Sequence, residues 1–166
     1  ACSDRIARFP SGGGVATTVL VDGSPHGLRV AGGALFWADA ANDLRTAGVD
    51  GAGSTTLATM PSSIGAVATD GTNVYFAWNQ SDIVAVPTSG SSLPLVLASG
   101  IAGLGKLATD GASVYFIDST DLAKVPVGGG AVVPLFPTGG DANAVAVDAS
   151  KVYWTTSTDV LDLEPK

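Results

Sequence analysis

Apolar residues along this chain fall in short runs separated by polar or glycine-rich breaks. No stretch shows the 3.6-residue apolar period of an amphipathic helix, so the pattern predicts strands joined by tight turns throughout. The runs also repeat. Ser3-Asp4, Asn42-Asp43, Ser81-Asp82, Thr120-Asp121 and Thr158-Asp159 recur at intervals of 39, 39, 39 and 38 residues, each opening an apolar stretch. A fixed period near forty marks one supersecondary unit copied in tandem.

Each copy reads as four strands. The first is small and apolar, at 28–31, 66–69, 106–109 and 144–147. Asp70-Gly71, Asp110-Gly111 and Asp148-Ala149 follow it as turns, and the first copy reads as a shorter Gly32-Gly33 turn. Asp-Gly between apolar runs is a hairpin signal, because glycine accepts positive φ and aspartate bonds its own turn backbone. The second strand carries aromatic residues in every copy: Leu35-Phe36-Trp37, Val74-Tyr75-Phe76, Val114-Tyr115-Phe116 and Val152-Tyr153-Trp154. The third lies at 44–49, 83–86 and 122–125, and also at 6–9 and 160–163. The fourth lies at 17–21, 55–59, 95–98 and 132–136.

Pro94 and Pro134 fall at equivalent places in the fourth strand, and proline belongs on a sheet edge because it donates no ladder hydrogen bond. Ala31, Ala68, Ala108 and Ala146 recur on the first strand, as expected where inner strands converge on an axis. The expected fold is therefore an all-β propeller of four-stranded antiparallel blades. A single domain over 1–166 would hold repeats at about 25–61, 62–100 and 101–140, with a fourth, composite blade built from 141–166 and 1–24. The third strand is present twice, at both ends. This leaves three expectations: a four-bladed monomer with a spare strand, a dimer that exchanges terminal strands, or a slice of a longer propeller.

Phe36-Trp37-Ala38-Asp39, Tyr115-Phe116-Ile117-Asp118 and Tyr153-Trp154-Thr155-Thr156 resemble the Tyr-Trp-Thr-Asp blade motif of low-density lipoprotein receptor type propellers and their bacterial relatives. The Val-Pro-x-Gly-Gly-Gly segment at 125–130 is similar to turns in secreted bacterial propeller repeats. The resemblance spans the chain and implies the architecture and an extracellular or periplasmic setting. It also implies that Asp39 and Asp118 tie structure together by hydrogen bonds. It implies no particular activity.

Charge narrows the partners. Fifteen acids against eight bases give a net charge of −7, which works against nucleic acid and anionic membrane surfaces. No apolar run reaches the roughly 18–20 residues of a membrane span. Cys2 is the only cysteine and His26 the only histidine, so no cysteine- or histidine-rich zinc site can form within one chain. Cys2 itself reads as a free thiol, an intermolecular partner or a lipid-attachment remnant. The chain carries neither a Gly-x-Ser-x-Gly elbow nor a phosphate-binding Gly-x-x-x-x-Gly-Lys-Ser/Thr motif.

These features point to a binding scaffold for a glycan, peptide or partner protein, with no catalytic residue and no cofactor. The contacts are expected from Trp78, Asn79, His26, Asp39, Asp118, Asp141 and Asn143, on the face that collects second-to-third turns and links between blades. Trp78 and Asn79 break the repeat, and a broad apolar ring beside an amide suits a sugar or a partner surface. Arg29 and Lys106 are the basic groups nearest the expected channel mouth. The aspartates at 4, 43, 82, 121 and 159 read as Asx turns leading into strands. A metal-dependent propeller hydrolase, such as a lactonase using Asp39, Asp118, Asp141 and His26 around Ca²⁺, is the alternative. A structural blade set with no ligand of its own is the other.

Overall fold

The computed structural model describes residues 4–166. Cys2, with the question of its thiol, and Ser3, the first letter of the first repeated phrase, lie outside the described residues. The described chain is entirely strands and turns. A hairpin pairs β1 (Arg5–Arg8) with β2 (Thr17–Val21). Three four-stranded meanders follow: β3 (His26–Ala31) to β4 (Ala34–Ala38), β5 (Asp43–Gly48) and β6 (Thr55–Thr59); β7 (Ile64–Thr69) to β8 (Asn73–Trp78), β9 (Asp82–Pro87) and β10 (Leu95–Ala98); β11 (Leu107–Thr109) to β12 (Ser113–Ile117), β13 (Asp121–Pro126) and β14 (Val133–Pro137). The last sheet is β15 (Ala144–Val147), β16 (Val152–Thr155) and β17 (Val160–Leu163). The three meanders and this last sheet are the four antiparallel blades of a β-propeller, and the β1–β2 hairpin packs beside the first of them. No helix among the described residues is long and apolar enough to cross a membrane.

The aromatic doublets explain why sheets stack. Neighbouring residues of a strand point to opposite faces, so two adjacent aromatics demand cover on both sides. Tyr75 faces the third blade and packs with Leu107 and Phe116, whereas Phe76 faces the first blade and packs with Phe36 and Leu44. Tyr115 repeats the arrangement against Val152 and Trp154 of the fourth blade. Tyr75 and Phe76 are fully buried as a result. On the outer side of the first blade, Leu35 and Trp37 are covered by Ile6, Val19 and Leu20 of the N-terminal hairpin.

The strands assigned to a composite blade form two separate ladders. Both β1 and β17 are third strands, and β16 has one edge for such a strand. β17 holds it, with Val152 opposite Leu163 and Thr155 opposite Val160, so β1 pairs only with β2. The inner strands pack in the series β3, β7, β11, β15, and no packing of similar extent returns from β15 to β3. Val30 on β3 of the first blade and Val160 on β17 of the last stay 62% and 75% exposed.

Strand pairing also corrects two details of the repeat. Ala68 stands opposite Tyr75, Ala108 opposite Tyr115 and Ala146 opposite Tyr153, but Arg29 stands opposite Phe36. Arg29, not Ala31, therefore occupies the recurring alanine position in the first blade. The Gly32-Gly33 turn is as long as the others: Ala31 pairs with Ala34 just as the Asp70 N–H bonds the Asn73 carbonyl. Ala31 thus replaces the turn aspartate. Alternation shows only which residues share a face, whereas the ladder shows which residues stand opposite each other.

Candidate functional site

At the axial end of the inner strands, on the face of the links and second-to-third turns, lies an open cavity of about 560 Å³. Its walls come from three blades: Arg29 on β3, Ile64 to Val67 on β7, Gln80 in the turn after β8, and Leu104 and Lys106 leading into β11. Two backbone irregularities shape it. The β3 and β7 registers each gain one residue, between His26 and Arg29 and between Ile64 and Val67. Such bulges bend a strand and leave a residue unpaired, and here both fall at the cavity wall. Gly27 lets the two bulges approach: its φ is +65°, and a Cβ there would lie 2.9 Å from Val67 Cγ2.

The cavity is basic although the protein is acidic. Arg29 and Lys106 line it, and no aspartate or glutamate does. Arg29 Nη1 donates to the Leu28 carbonyl at 2.8 Å, which leaves its other N–H groups available. Neither cation forms an ion pair among the described residues. By contrast, Arg45 lies 3.2 Å from Asp22, Lys151 2.9 Å from Asp162 and Lys166 2.7 Å from Asp110.

Three of the seven sequence-predicted residues border this mouth. His26 Nε2 sits 2.9 Å from the Ile64 carbonyl and Nδ1 3.2 Å from that of Ser24, so the ring bridges two blades. The Asn79 N–H donates to the Ser63 carbonyl at 3.0 Å. Asn79 and Gln80 have φ of 52° and 55°, and the Ser81 N–H bonds the Trp78 carbonyl, a tight hairpin turn of the mirror-image type. Trp78 is half-buried against the cluster of Phe36, Ile64 and Phe76, with Nε1 buried and unpartnered.

The other four lie apart, and each is engaged locally. Asp39, 4% exposed, accepts the Ala41 and Asp43 N–H groups at 2.8 and 3.1 Å. Asp118 accepts those of Thr120 and Asp121, both at 2.8 Å. Asp141 accepts the Ser157 hydroxyl at 3.0 Å, and the Asn143 N–H reaches the Thr155 carbonyl at 2.8 Å. Among the described residues no group of three or more His, Cys, Asp or Glu side chains could hold a metal ion.

The repeated aspartates act differently from the expected Asx turns. Asp39 and Asp118 make those turns, while the residues after them clasp the outer part of the blade: Asp43 accepts from the Thr59 hydroxyl at 2.5 Å and Asp82 from the Gly100 N–H at 3.2 Å. On the opposite face the hairpin aspartates make a clasp of their own. Asp70, Asp110 and Asp148 each receive two turn N–H groups and one tyrosine hydroxyl, from Tyr75, Tyr115 and Tyr153 at 2.7, 3.1 and 2.8 Å. The first blade lacks both partners together, having Ala31 and Phe36. That paired loss is the signal in the sequence that could have revealed the clasp.

Burial pushes the Asp110 carboxyl up, but Lys166, the Ser113 and Ala112 N–H groups and Tyr115 together hold it well below the usual carboxylate range. Burial and the adjacent Asp110 push the Tyr115 hydroxyl up to about 12. Tyr75 is raised for the same reasons, by burial and by Asp70. Hydrogen bonds from Ser150, Lys151 and Tyr153 lower Asp148 to about 2.

No family model and no curated protein matches the chain. Solved structures do. A nidogen/laminin complex superposes with a TM-score of 0.77 at 21% identity, over 97% of this chain and 68% of that one. A catalytically inactive virginiamycin B lyase from Staphylococcus aureus with quinupristin gives 0.70 at 13%, over 99% and 64%. BamB from Moraxella catarrhalis gives 0.61 at 16%, over 87% and 42%. The chain thus spans about two thirds of the first two and under half of the third. At these identities the likeness establishes the fold, that of a β-propeller, and leaves function to the site.

Proposed function

We propose that this protein is a non-catalytic binding module that takes a peptide segment of a partner protein over the axial mouth of its loop-rich face. The observation that carries this reading is the cavity of about 560 Å³ at which Arg29, Gln80 and Lys106 converge from three blades over a closed apolar floor. That volume suits a small ligand or a short segment. Ile64, Val67 and Leu104, all buried, close that floor, while Gln80 and Ser63 offer amide and hydroxyl partners. His26 and Asn79 hold the rim in place through the Ile64 and Ser63 carbonyls. A peptide is favoured over a glycan because Trp78, the ring best suited to stacking on a sugar, packs into the inter-blade cluster. Propellers of this shape that engage proteins, such as the one in the nidogen/laminin complex, support the reading. An extracellular or periplasmic setting belongs to it.

Chemical-shift mapping of the ¹⁵N-labelled protein with a heptapeptide library tests the proposal. The expected shifts cluster at Gly65, Gln80 and Lys106. Shifts confined to the opposite face, around Asp70 and Asp110, or no shifts with any pool, would overturn it.

A further inference from the structure

Resting on that peptide-binding reading, we infer that the group recognised in the axial cavity is a carboxylate, held between Arg29 and Lys106. With fifteen acids for eight bases, a base in this chain is surrounded by candidate partners. Arg45, Lys151 and Lys166 have taken them; Arg5 instead donates to the Thr18 hydroxyl, Arg8 stays exposed on the N-terminal hairpin, and Lys124 lies 5.8 Å from the centre of the Tyr115 ring. Arg29 and Lys106 have no acidic partner among the described residues, and these two line the same cavity. Arg29 further stands at a position filled by alanine in the other three blades, so the repeat does not require a cation there.

The chemistry suits a carboxylate. A guanidinium presents a planar fork of N–H donors that matches two carboxylate oxygens, and the lysine adds a mobile point charge. The bulges at Gly27 and at Gly65–Ala66 lie in the wall beside these groups, and the buried Ile64, Val67 and Leu104 back that wall, so both exposed cations face the open cavity. A peptide can bring a carboxylate from its C-terminus or from an Asp or Glu side chain, and both place the same two oxygens between the cations.

Four pools of fluorescent heptapeptides test this by anisotropy: free C-terminus, amidated C-terminus, amidated with a central Glu, and amidated with a central Gln. The free-acid or the Glu pool, whichever matches the source, should bind at least tenfold more tightly than its amide or Gln counterpart. Lys106→Gln and Arg29→Gln should each remove most of that preference with the melting temperature unchanged, and Lys106→Glu should reverse it. Should one variant fail to fold, the other still decides. Equal binding of all pools would overturn the carboxylate inference and leave peptide binding standing. A preference that survives both Gln variants would also overturn it. Absence of binding by every pool would remove both.

Discussion

The Tyr75 hydroxyl donates to Asp70 Oδ2 at 2.7 Å, and Asp70 Oδ1 meanwhile accepts the Thr72 and Asn73 N–H groups at 2.8 and 2.7 Å. One carboxylate thus fastens a hairpin turn to the aromatic that fills the space between blades. A hydrogen bond to a charged acceptor is worth about 1.5–3 kcal/mol. Tyr75→Phe should lower unfolding stability by about 1–2 kcal/mol in urea titrations, and Asp70→Ala by more, because it also frees two turn N–H groups. In the first blade Ala31→Asp combined with Phe36→Tyr should rebuild the clasp, with the double variant more stable than either single one.

Stability should depend on pH at both ends of the scale. The turn aspartates have folded values below the ordinary carboxylate value, so their contribution is present above about pH 4. It is lost as pH falls toward about 2, where Asp148 is protonated in the folded protein. The tyrosines shift the opposite way. Their contribution is present below about pH 10, the unfolded value. It is lost as pH rises toward about 12, where Tyr115 ionises in the fold. Chemical denaturation across pH 2–12 should show a plateau between these limbs, and Tyr75→Phe with Tyr115→Phe should flatten the alkaline one. An unchanged alkaline limb in that variant would contradict the assignment.

Gly27→Ala should destabilise the first two blades. The residue has φ of +65°, and the added Cβ would meet Val67 Cγ2 at 2.9 Å on the neighbouring inner strand. Left-handed backbone costs a non-glycine residue about 1–2 kcal/mol before any clash. A loss of about 2–3 kcal/mol is expected from strain and displacement together. Gly53→Ala provides the control: its φ is +68°, but its Cβ would meet nothing within 4 Å.

Trp78→Ala should cost about 2–3 kcal/mol, since a half-buried indole leaves the inter-blade cluster. Trp78→Phe should cost much less, because it removes a buried, unpartnered N–H while keeping a ring in place. Thermal melts of the two variants, run beside peptide titrations, separate loss of packing from loss of binding.

Asp22→Ala should be among the more damaging single changes in the first blade. Trp37 is 0% exposed and its Nε1 donates to Asp22 Oδ2 at 2.6 Å, with Arg45 Nε 3.2 Å from the same oxygen. Removing the carboxylate strands a buried donor and a partly buried cation, at a cost of about 3 kcal/mol. Asp22→Asn should retain part of the loss, since an amide oxygen still accepts from the indole. Urea titrations of the two variants check the order.

The strand period, the near-forty repeat and the aromatic doublets were enough to specify an all-β stack of blades. These are local properties: alternation dictates two-faced strands, and two apolar faces dictate neighbours on both sides. The aromatics of β4, β8, β12 and β16 and the turn aspartates were all legible in this way. Pairwise geometry was not. Whether Ala31 aligns with Ala68 or with Asp70 depends on ladder hydrogen bonds, and that two-residue difference hid both the Asp–Tyr clasp and the place of Arg29 in the ladder. The competition of β1 and β17 for one edge of β16 could be posed from sequence but was decided by packing. The cavity shows both sides. The repeat already placed Arg29 and Lys106 near the channel mouth, because both fall on inner strands, but the bulges in β3 and β7 and the place of Gln80 at the same wall came only from the stacking of three blades.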